Sequence, residues 1–254
     1  MRTQKLNFLL GMAFALLLNF SHAQSEVQAF WVHEDVIKPG MVPAYEAVSK
    51  ELTDNMKTHQ IKDLNVLVST TSDNRYLWVS PISSLADVQR PVFKELEEKM
   101  GADNMKALFD KMDKCYDIEH NYVILLDKEL SYMPGGITQT PEGQNYRKFH
   151  YFHYTPSNAA AVKQKVKDIK QLFESKGSKF EYRVYRSGFG TRGAFYMVAV
   201  AAKDAGDYAQ RTATNNELLG EEWANMFNSF MGELIHYEQV EGSVRPDMGY
   251  SPTN

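Results

Sequence analysis

Two histidines are the residues best suited to acid–base chemistry. They end the motifs Trp31-Val32-His33 and Tyr151-Phe152-His153, so each follows bulky aromatic residues. Histidine titrates near neutral pH, and either residue could therefore act as a general base or contact a ligand directly. The alternative role is structural, with an interior histidine bonded to Tyr76, to Tyr196 or to a backbone carbonyl. The residue types alone leave both roles open.

The ligand types predict no metal site. Two histidines without spaced carboxylate or thiolate partners are poor ground for metal binding, and in His33-Glu34-Asp35 the alternation of a strand turns Glu34 to the opposite face. Cys115 is the only cysteine, so the chain cannot form an intramolecular disulfide. We expect a partly buried thiol there. An intermolecular disulfide and a reactive thiol are the alternatives.

The alternation of side chains along a strand assigns faces to the first motif. Trp31, His33 and Asp35 share one side, and the apolar Phe30, Val32 and Val36 share the other. The apolar side is expected to meet helices, so Trp31 and His33 are predicted to face the space between two sheets. The same register turns Tyr151 and His153 inward. The expected result is a cavity with aromatic walls and two histidines, which is typical of a small-molecule site.

Four further residues extend the predicted ligand site. Trp78 shares a strand face with Tyr76 and could wall the same cavity, although tryptophan in a sheet more often serves packing. Arg183 and Tyr185 share a face with Glu181. If that face is interior, Arg183 would offer an anion or a carboxylate a bidentate contact. If it is exposed, Arg183 would form a salt bridge with Glu181 or with a neighbouring strand.

One glycine motif matches a nucleotide fingerprint without its structural context. The segment 188–193 reads G-x-G-x-x-G, but that fingerprint binds a pyrophosphate only where a strand leads into a helix. Here the motif joins two predicted strands, and its glycines fit positive φ angles in a hairpin turn. We therefore expect no nucleotide and no other bound cofactor.

An internal repeat organises the whole chain. His153 lies 120 residues after His33, and Tyr196 lies 120 residues after Tyr76. Alternating and three-to-four-residue apolar periods predict the order β-α-β-β-α-β twice. In the first copy the strands are predicted at 29–37, 65–70, 75–82 and 122–126, with a helical break at Gly101. In the second copy they are predicted at 149–154, 179–186, 194–201 and 235–240.

The predicted organisation is a signal peptide followed by two repeats. Residues 1–23 combine Arg2 and Lys5, an apolar stretch and Ser21-His22-Ala23, which together are typical of a cleaved secretory signal. An uncleaved membrane anchor is the alternative. The first repeat is predicted at 24–133, a linker at 134–147, the second repeat at 148–241 and an irregular tail at 242–254. Export to the periplasm or the extracellular space is therefore expected, with no membrane attachment after cleavage.

The charge balance argues against a nucleic-acid partner. The chain has 28 Lys and Arg against 32 Asp and Glu. Cleavage removes Arg2 and Lys5 and leaves 26 against 32, a net charge of −6 with neutral histidines. A phosphate backbone would need a basic face. The expected partner is a small molecule.

The element order is that of the split βαβ, ferredoxin-like unit, in which two helices cover one face of a four-stranded antiparallel sheet. The other face needs a cover, and the second copy supplies it when the two sheets close into a barrel with the helices outside. On this order and on the repeats His33/His153 and Tyr76/Tyr196, the chain resembles a tandem member of the dimeric α/β-barrel superfamily. That superfamily includes NIPSNAP-like and antibiotic-biosynthesis-monooxygenase-like families. The tandem arrangement favours a monomer over a homodimer.

Three functions follow as hypotheses. The first is an exported small-molecule binding protein with its ligand between the sheets. The second comes from the resemblance, which implies a cofactor-independent monooxygenase or a haem-handling enzyme, with His33 or His153 as base or ligand. The third is a structural or interaction protein with a filled barrel. The size of the interior cavity separates them, because a packed interior leaves no room for a ligand there.

Overall fold

The computed structural model describes residues 27–252. Eight strands and five helices alternate along them in the order β-α-β-β-α-α-β followed by β-α-β-β-α-β. The predicted signal peptide lies outside the described residues. The strands are β1 Val27–Ile37, β2 Leu67–Thr71, β3 Arg75–Ile82, β4 Tyr116–Tyr132, β5 Tyr146–Tyr154, β6 Tyr182–Ser187, β7 Ala194–Ala202 and β8 His236–Val244. The helices are α1 Val42–Thr58, α2 Lys94–Met100, α3 Ala102–Met112, α4 Ala159–Ser175 and α5 Ala205–Met231.

The strands form one closed antiparallel barrel in the order β1-β3-β2-β8-β5-β7-β6-β4. The two halves meet where β2 pairs with β8, for example Ser69 with Val244, and where β4 pairs with β6, for example Leu126 with Tyr185. Each half keeps the ferredoxin-like strand order, and helices pack against its outer face. The predicted fold, two facing sheets with helices outside, is confirmed.

The barrel interior is almost full. Large side chains from both halves pack there, and a space of only about 60 Å³ remains. The predicted ligand cavity between the sheets is therefore wrong in its location. Tyr151 and Tyr185 belong to this packed interior, as do the following apolar residues: Phe30, Val32, Leu77, Ile124, Leu126, Phe149, Phe195, Met197, Ala199 and Val240.

The predicted orientation of β1 is also wrong. Phe30 and Val32 fill the barrel, whereas Trp31 and His33 face the helices. Both faces of this strand carry large side chains. The more apolar face, with Phe30 and Val32, is the one buried inside the closed barrel. The polar side meets polar groups on its helix, because Tyr45 of α1 donates a hydrogen bond to Asp35. The prediction that Glu34 points away from His33 holds.

The two repeats are offset by three residues in their first strands. Tyr76 pairs with Asp35 in the first half, and Tyr196 pairs with Phe152 in the second. Matching Tyr76 with Tyr196 therefore matches His33 with His150 and not with His153. An odd offset exchanges the two faces of a strand, and this is why His33 faces helices while its predicted counterpart does not.

Each half has its own core between sheet and helices. In the first half Leu52 and Met56 lie one turn apart on α1 and are completely buried, as the apolar period of that helix predicts. The helical region breaks at Gly101, where φ is 87°, as expected. In the second half α5 is kinked at Gly220, with φ 66° and ψ −152°. Cys115 is buried in the first-half core, where its thiol donates to the carbonyl of Lys111.

The last residues that the structure describes pack on the first half. Met248 is completely buried, and its carbonyl accepts a hydrogen bond from Thr53 on α1 at 2.6 Å. Tyr250 bridges to Val66 and donates to the carbonyl of Ile61 at 2.6 Å. β8 ends at Val244, inside the segment for which an irregular tail was predicted, and the described residues after it are held in place by the first half.

The glycine motif at 188–193 joins β6 directly to β7, so no helix follows it. Gly190 and Gly193 have φ of 83° and 77°. A Cβ at Gly190 would also lie 2.7 Å from the carbonyl of Asn121, so the turn requires glycine there. Within residues 27–252, none of the helices has the length and apolar character needed to cross a membrane.

Candidate functional site

The main cavity of the first half lies between the sheet and α1–α3. Its volume is about 380 Å³, within the usual range for small-molecule sites. Most of the wall is apolar, and its polar side chains include His33, Asp35, Asp113 and Glu119. The lining residues are Trp31, His33, Asp35, Leu52, Met56, Leu64, Val66, Trp78, Ser80, Val92, Phe93, Phe109, Met112, Asp113, Tyr116 and Glu119.

A directed chain of hydrogen bonds ends at Asp35. The indole Nε1–H of Trp78 donates to the Tyr45 hydroxyl at 2.8 Å. That hydroxyl therefore gives its own proton to Asp35 Oδ2, at 2.5 Å. An indole can only donate, and this fixes the direction of both bonds. The result is a buried Asp35 side chain, 1% exposed, whose Oδ2 accepts the Tyr45 hydroxyl.

His33 lies between Asp35 and Asn121. Its Nε2 forms an ion pair with Asp35 Oδ1 at 3.1 Å, and its Nδ1 lies 3.0 Å from Asn121 Oδ1. The indole of Trp31 donates to the same Asn121 oxygen at 3.1 Å. Because Trp31 is a donor, that oxygen is an acceptor, and Nδ1 must carry a proton to contact it. Nδ1 is therefore protonated in this arrangement, and the nearby Asp35 carboxyl favours the imidazolium form of the ring.

The pKa of His33 follows from these contacts. Burial by itself lowers the pKa, but the hydrogen bond and the charge of Asp35 raise it, with smaller contributions from Asn121 and Glu119. The net result is a pKa raised above the ordinary histidine value. The His33 side chain remains 29% exposed and is one of the residues that line the cavity. An accessible histidine paired with a buried carboxylate is suited to acid–base chemistry.

Of the predicted site residues, the fold brings Trp31, His33 and Trp78 together at this cavity. Tyr76 lies in the adjacent helix-side core and donates to Glu46 at 2.7 Å. The prediction did not include Asp35 among the site residues, nor Tyr45 and Asn121. The alternation of side chains along β1 puts Asp35 on the same face as His33, so the sequence could have indicated Asp35. Tyr45 and Asn121 lie on other elements, α1 and β4, and no such pattern indicates them.

The remaining predicted residues lie elsewhere. Tyr151, Tyr185 and Arg183 border the small space inside the barrel. His153 packs against Phe195 and His236, with ring centroids 5.6 and 5.4 Å away. They are not brought to the cavity that contains His33. Arg183 thus lies on an interior face, which was one of its two predicted positions, and not in an exposed salt bridge.

A second cavity, of about 350 Å³, occupies the equivalent place in the second half. His150 lines it, with Nδ1 2.7 Å from the Tyr237 hydroxyl and Nε2 3.0 Å from the Tyr208 hydroxyl. Burial, assisted by Lys148, lowers the pKa of His150 to about 4, so the ring is neutral at neutral pH. Aromatic side chains form much of the wall, including Phe152, Phe173, Tyr182, Trp223 and Phe227.

The two cavity histidines differ in whether they could hold a haem. An axial histidine needs a ring nitrogen free to bind iron. Both nitrogens of His150 contact tyrosine hydroxyls, so the residues around His150 do not fit a haem. At His33, Nε2 is paired with Asp35, and Nδ1 could bind iron only if the exposed Asn121 side chain turned away.

A cation could meet three ligand atoms only near His33 in the part of the chain that the structure describes. Atoms of His33, Asp35 and Glu119 lie within 4.8 Å of one another. A metal ion bound by these three atoms would have to take the place of any proton on Nε2 of His33, and the Trp31–Asn121 contact accounts for a protonated Nδ1 without an ion.

Comparison with known proteins supports the fold. No family model matches the sequence, and no curated protein matches it. A solved anthrone oxidase-like protein superposes with a TM-score of 0.54 at 12% identity, over 88% of this chain and 93% of that chain. A monooxygenase candidate from Fusobacterium nucleatum gives 0.48 at 11% identity, over 86% and 92% of the two chains. A mutant chlorite dismutase from Candidatus Nitrospira defluvii gives 0.47 at 10% identity, over 89% and 94%.

At these identities the likeness concerns the fold alone. The first superposition covers nearly the whole of both chains, and the closed eight-stranded order with outer helices agrees with it. The chain therefore has the dimeric α/β-barrel fold, with both halves of the barrel on one polypeptide.

Proposed function

We propose that the protein is an enzyme that removes a hydroxyl proton from a small ring-containing molecule bound in the first cavity. One observation carries the proposal. Trp31 Nε1 and His33 Nδ1 converge on a single oxygen, Asn121 Oδ1, at 3.1 and 3.0 Å. The amide oxygen marks the position that a substrate oxygen would take.

The exchange of Asn121 for substrate is physically simple. Asn121 is exposed on β4, so its side chain can turn into solvent at little cost. A substrate hydroxyl in its place would accept the Trp31 N–H and donate to Nδ1 of neutral His33. Nε2 of His33 keeps its proton and faces the Asp35 carboxylate, which stabilises the imidazolium that forms, as in other carboxylate–histidine bases. Trp31 then stabilises the oxyanion.

The cavity selects the rest of the substrate. Its walls include Trp78, Phe93 and Phe109 together with aliphatic side chains of α1. Flat, apolar rings fit such a wall, with edge or face contacts to the aromatic side chains. A phenol, or a ring ketone in its enol form, combines an acidic hydroxyl with an apolar body.

The reaction class that we propose is oxidation by dissolved molecular oxygen without a bound cofactor. The support is the acid–base site together with the similarity in fold to an anthrone oxidase-like protein. In an anthrone, the enol form loses its proton to His33, and the enolate supplies electrons to O₂. The ring CH₂ becomes C=O, one oxygen atom enters the product and the other leaves as water. Anthrone and O₂ thus give anthraquinone and H₂O, which balances.

Anthrone oxidation tests the proposal directly. The full chain is mixed with anthrone in air, and anthraquinone absorbance and O₂ uptake are followed together. We expect equal amounts of O₂ consumed and anthraquinone formed, and a loss of about 100-fold or more in rate for His33→Ala. His153→Ala is the matched control, since His153 lies away from the cavity. Unchanged turnover in His33→Ala, or no turnover in the native protein above the buffer rate, would overturn the assignment.

A binding function is the second candidate, and the second cavity favours it. That cavity has an aromatic wall and a neutral histidine but no carboxylate beside it. It could hold an uncharged ring molecule without reacting with it. Saturable quenching of tryptophan fluorescence by anthrone in a Trp31→Phe, Trp78→Phe variant would report this cavity through Trp223.

The cellular location, the oligomeric state and the partners of the protein are proposed from the sequence. We propose that the protein acts after export, as a monomer and without nucleic acid or membrane partners. Cell fractionation with mass spectrometry of the mature N-terminus tests export, and sedimentation velocity tests the monomer. Retention of residues 1–23 or a stable dimer would contradict the corresponding part.

A further inference from the structure

Two arginines are buried at one end of the barrel interior. Arg147 on β5 and Arg183 on β6 are 3% and 2% exposed, and both line the small space inside the barrel. They flank β7, where they pair with Ala201 and Ala199. These small residues leave open the volume that larger side chains fill elsewhere in the interior.

The hydrogen bonds of the two arginines are made to backbone carbonyls. Arg147 donates to Gln144, Tyr146 and Gln139, at 2.5, 2.9 and 2.7 Å. Arg183 donates to Thr138 at 2.7 Å, and its buried Nε has no hydrogen-bond partner. Within residues 27–252 neither guanidinium forms an ion pair with a carboxylate.

Two buried cations without an anion are an unusual arrangement. Burial of an unpaired charge is costly, and like charges in one space repel. Burial and the charge of Arg183 lower the pKa of Arg147 to about 10. Carbonyl dipoles satisfy part of each guanidinium, but they do not neutralise it.

We propose that this end of the barrel binds a small inorganic oxyanion, such as phosphate or sulfate, between Arg147 and Arg183. The planar guanidinium fork matches the oxygens of such an anion. The free Nε of Arg183 supplies a donor that no protein atom uses. The inference is independent of the chemistry proposed at His33.

The size of the space limits the ligand. About 60 Å³ is available, and Phe149, Tyr185 and Met197 fill the interior beside it. A carboxylate with a carbon skeleton longer than that of acetate would not fit, and acetate itself offers two oxygens to the guanidinium groups where a tetrahedral oxyanion offers four. A tetrahedral oxyanion has no such skeleton, so the site is expected to prefer it.

An approach to the site lies under the linker between the two repeats. Gln139 borders both the arginine space and a wider pocket of about 310 Å³ at the surface. The carbonyls of Thr138 and Gln139 accept bonds from the arginines. A bound anion would therefore neutralise the groups that hold the linker and would stabilise the closed barrel.

Thermal unfolding and calorimetry of the full chain test this site. At constant ionic strength, phosphate or sulfate should raise the melting temperature relative to chloride in a saturable manner, by about 5 °C near saturation. Phosphate and sulfate also stabilise proteins generally, by exclusion from the surface, so variants are needed. Arg183→Met should lose the saturable part. Arg192→Met, at an exposed turn, should keep it.

Titration of phosphate into the native protein, followed by calorimetry, keeps the test decisive if Arg183→Met fails to fold. A saturable heat signal that sulfate competes away and acetate does not would support an inorganic oxyanion. Equal competition by acetate would overturn the preference for a tetrahedral anion. A shift of the same size in Arg183→Met and the native protein, or no binding heat with the native protein, would overturn the site itself.

Discussion

His33 and His150 occupy the same position in the two halves of the barrel, yet their pKa values are shifted in opposite directions. The residue two places further along the strand differs between them. It is Asp35 in the first half and Phe152 in the second, where the rings of His150 and Phe152 stack at 6.1 Å. The carboxylate raises the pKa of His33, whereas burial among aromatic rings lowers that of His150 to about 4. The histidine of the first cavity therefore binds a proton more readily than an ordinary histidine, whereas the histidine of the second cavity is neutral at neutral pH.

The pH dependence of anthrone oxidation should report His33. The neutral ring is the base, so the rate is expected to rise with pH through the raised pKa of His33. Asp35→Asn removes the charge that raises this pKa, so the rising limb should move to lower pH and the maximal rate should fall. Stopped-flow rates from pH 5 to pH 9 provide the measurement. A limb at the same pH in both proteins would mean that another group controls the reaction.

Asn121 should compete with the substrate for the oxygen position. Asn121→Ala removes the amide oxygen that Trp31 and His33 share, and we expect a several-fold lower KM for anthrone with kcat little changed. Asn121→Asp should do the reverse, because a carboxylate there would accept both N–H groups more strongly. Steady-state kinetics on the pair distinguish the two directions. A higher KM in Asn121→Ala would show that the amide helps to bind the substrate.

His150 should make the protein sensitive to acid. Its folded-state pKa, about 4, lies below the unfolded value near 6.5. As the pH falls from 6.5 towards 4, His150 binds a proton in the unfolded chain but not in the folded protein. The free energy of unfolding should therefore decrease over this window, by up to about 3 kcal/mol. Above pH 6.5 the residue should have no such effect.

Urea denaturation at pH 7 and pH 4.5 measures this contribution. His150→Phe should lose less stability between the two pH values than the native protein. His59→Phe is the control, at a helix end in the first half. If the acid loss in His150→Phe equals that of the native protein, carboxylates elsewhere account for all of it.

Gly220 should be required for the kink in α5. Its φ of 66° with ψ of −152° belongs to a region that residues with a Cβ rarely enter. Gly220→Ala is expected to lower the free energy of unfolding by about 1–3 kcal/mol, or to straighten the helix and displace Trp223 from the second cavity. Gly40→Ala is the matched control, because a Cβ there meets open space. Equal stability of the two variants, with unchanged Trp223 fluorescence, would show that the kink tolerates a side chain.

The sequence was sufficient to predict the architecture of the protein. Alternating and helical periods, the break at Gly101 and the uncovered sheet face together predict two ferredoxin-like units that close into a barrel. These signals are local or depend only on element order. The closure itself follows from the need to bury the inner face of each sheet.

The site was harder to predict because it depends on which face of β1 turns inward. Both faces carry large side chains, and the three-residue offset between the repeats hides the match between His33 and His150. Tyr45 and Asn121 reach His33 and Asp35 from other elements, and no pattern within one strand reveals such contacts. The two buried arginines are likewise brought to one space only when the barrel closes.

The route of the chain also has a practical consequence. It begins in the first half, passes through the second, and returns so that Met248 and Tyr250 complete the core around Val66. Cutting the gene between β4 and β5 would thus not yield two self-sufficient proteins. The second fragment would contain Met248 and Tyr250, which complete the core of the first. The fragment with the His33 cavity would therefore expose part of its hydrophobic core to solvent.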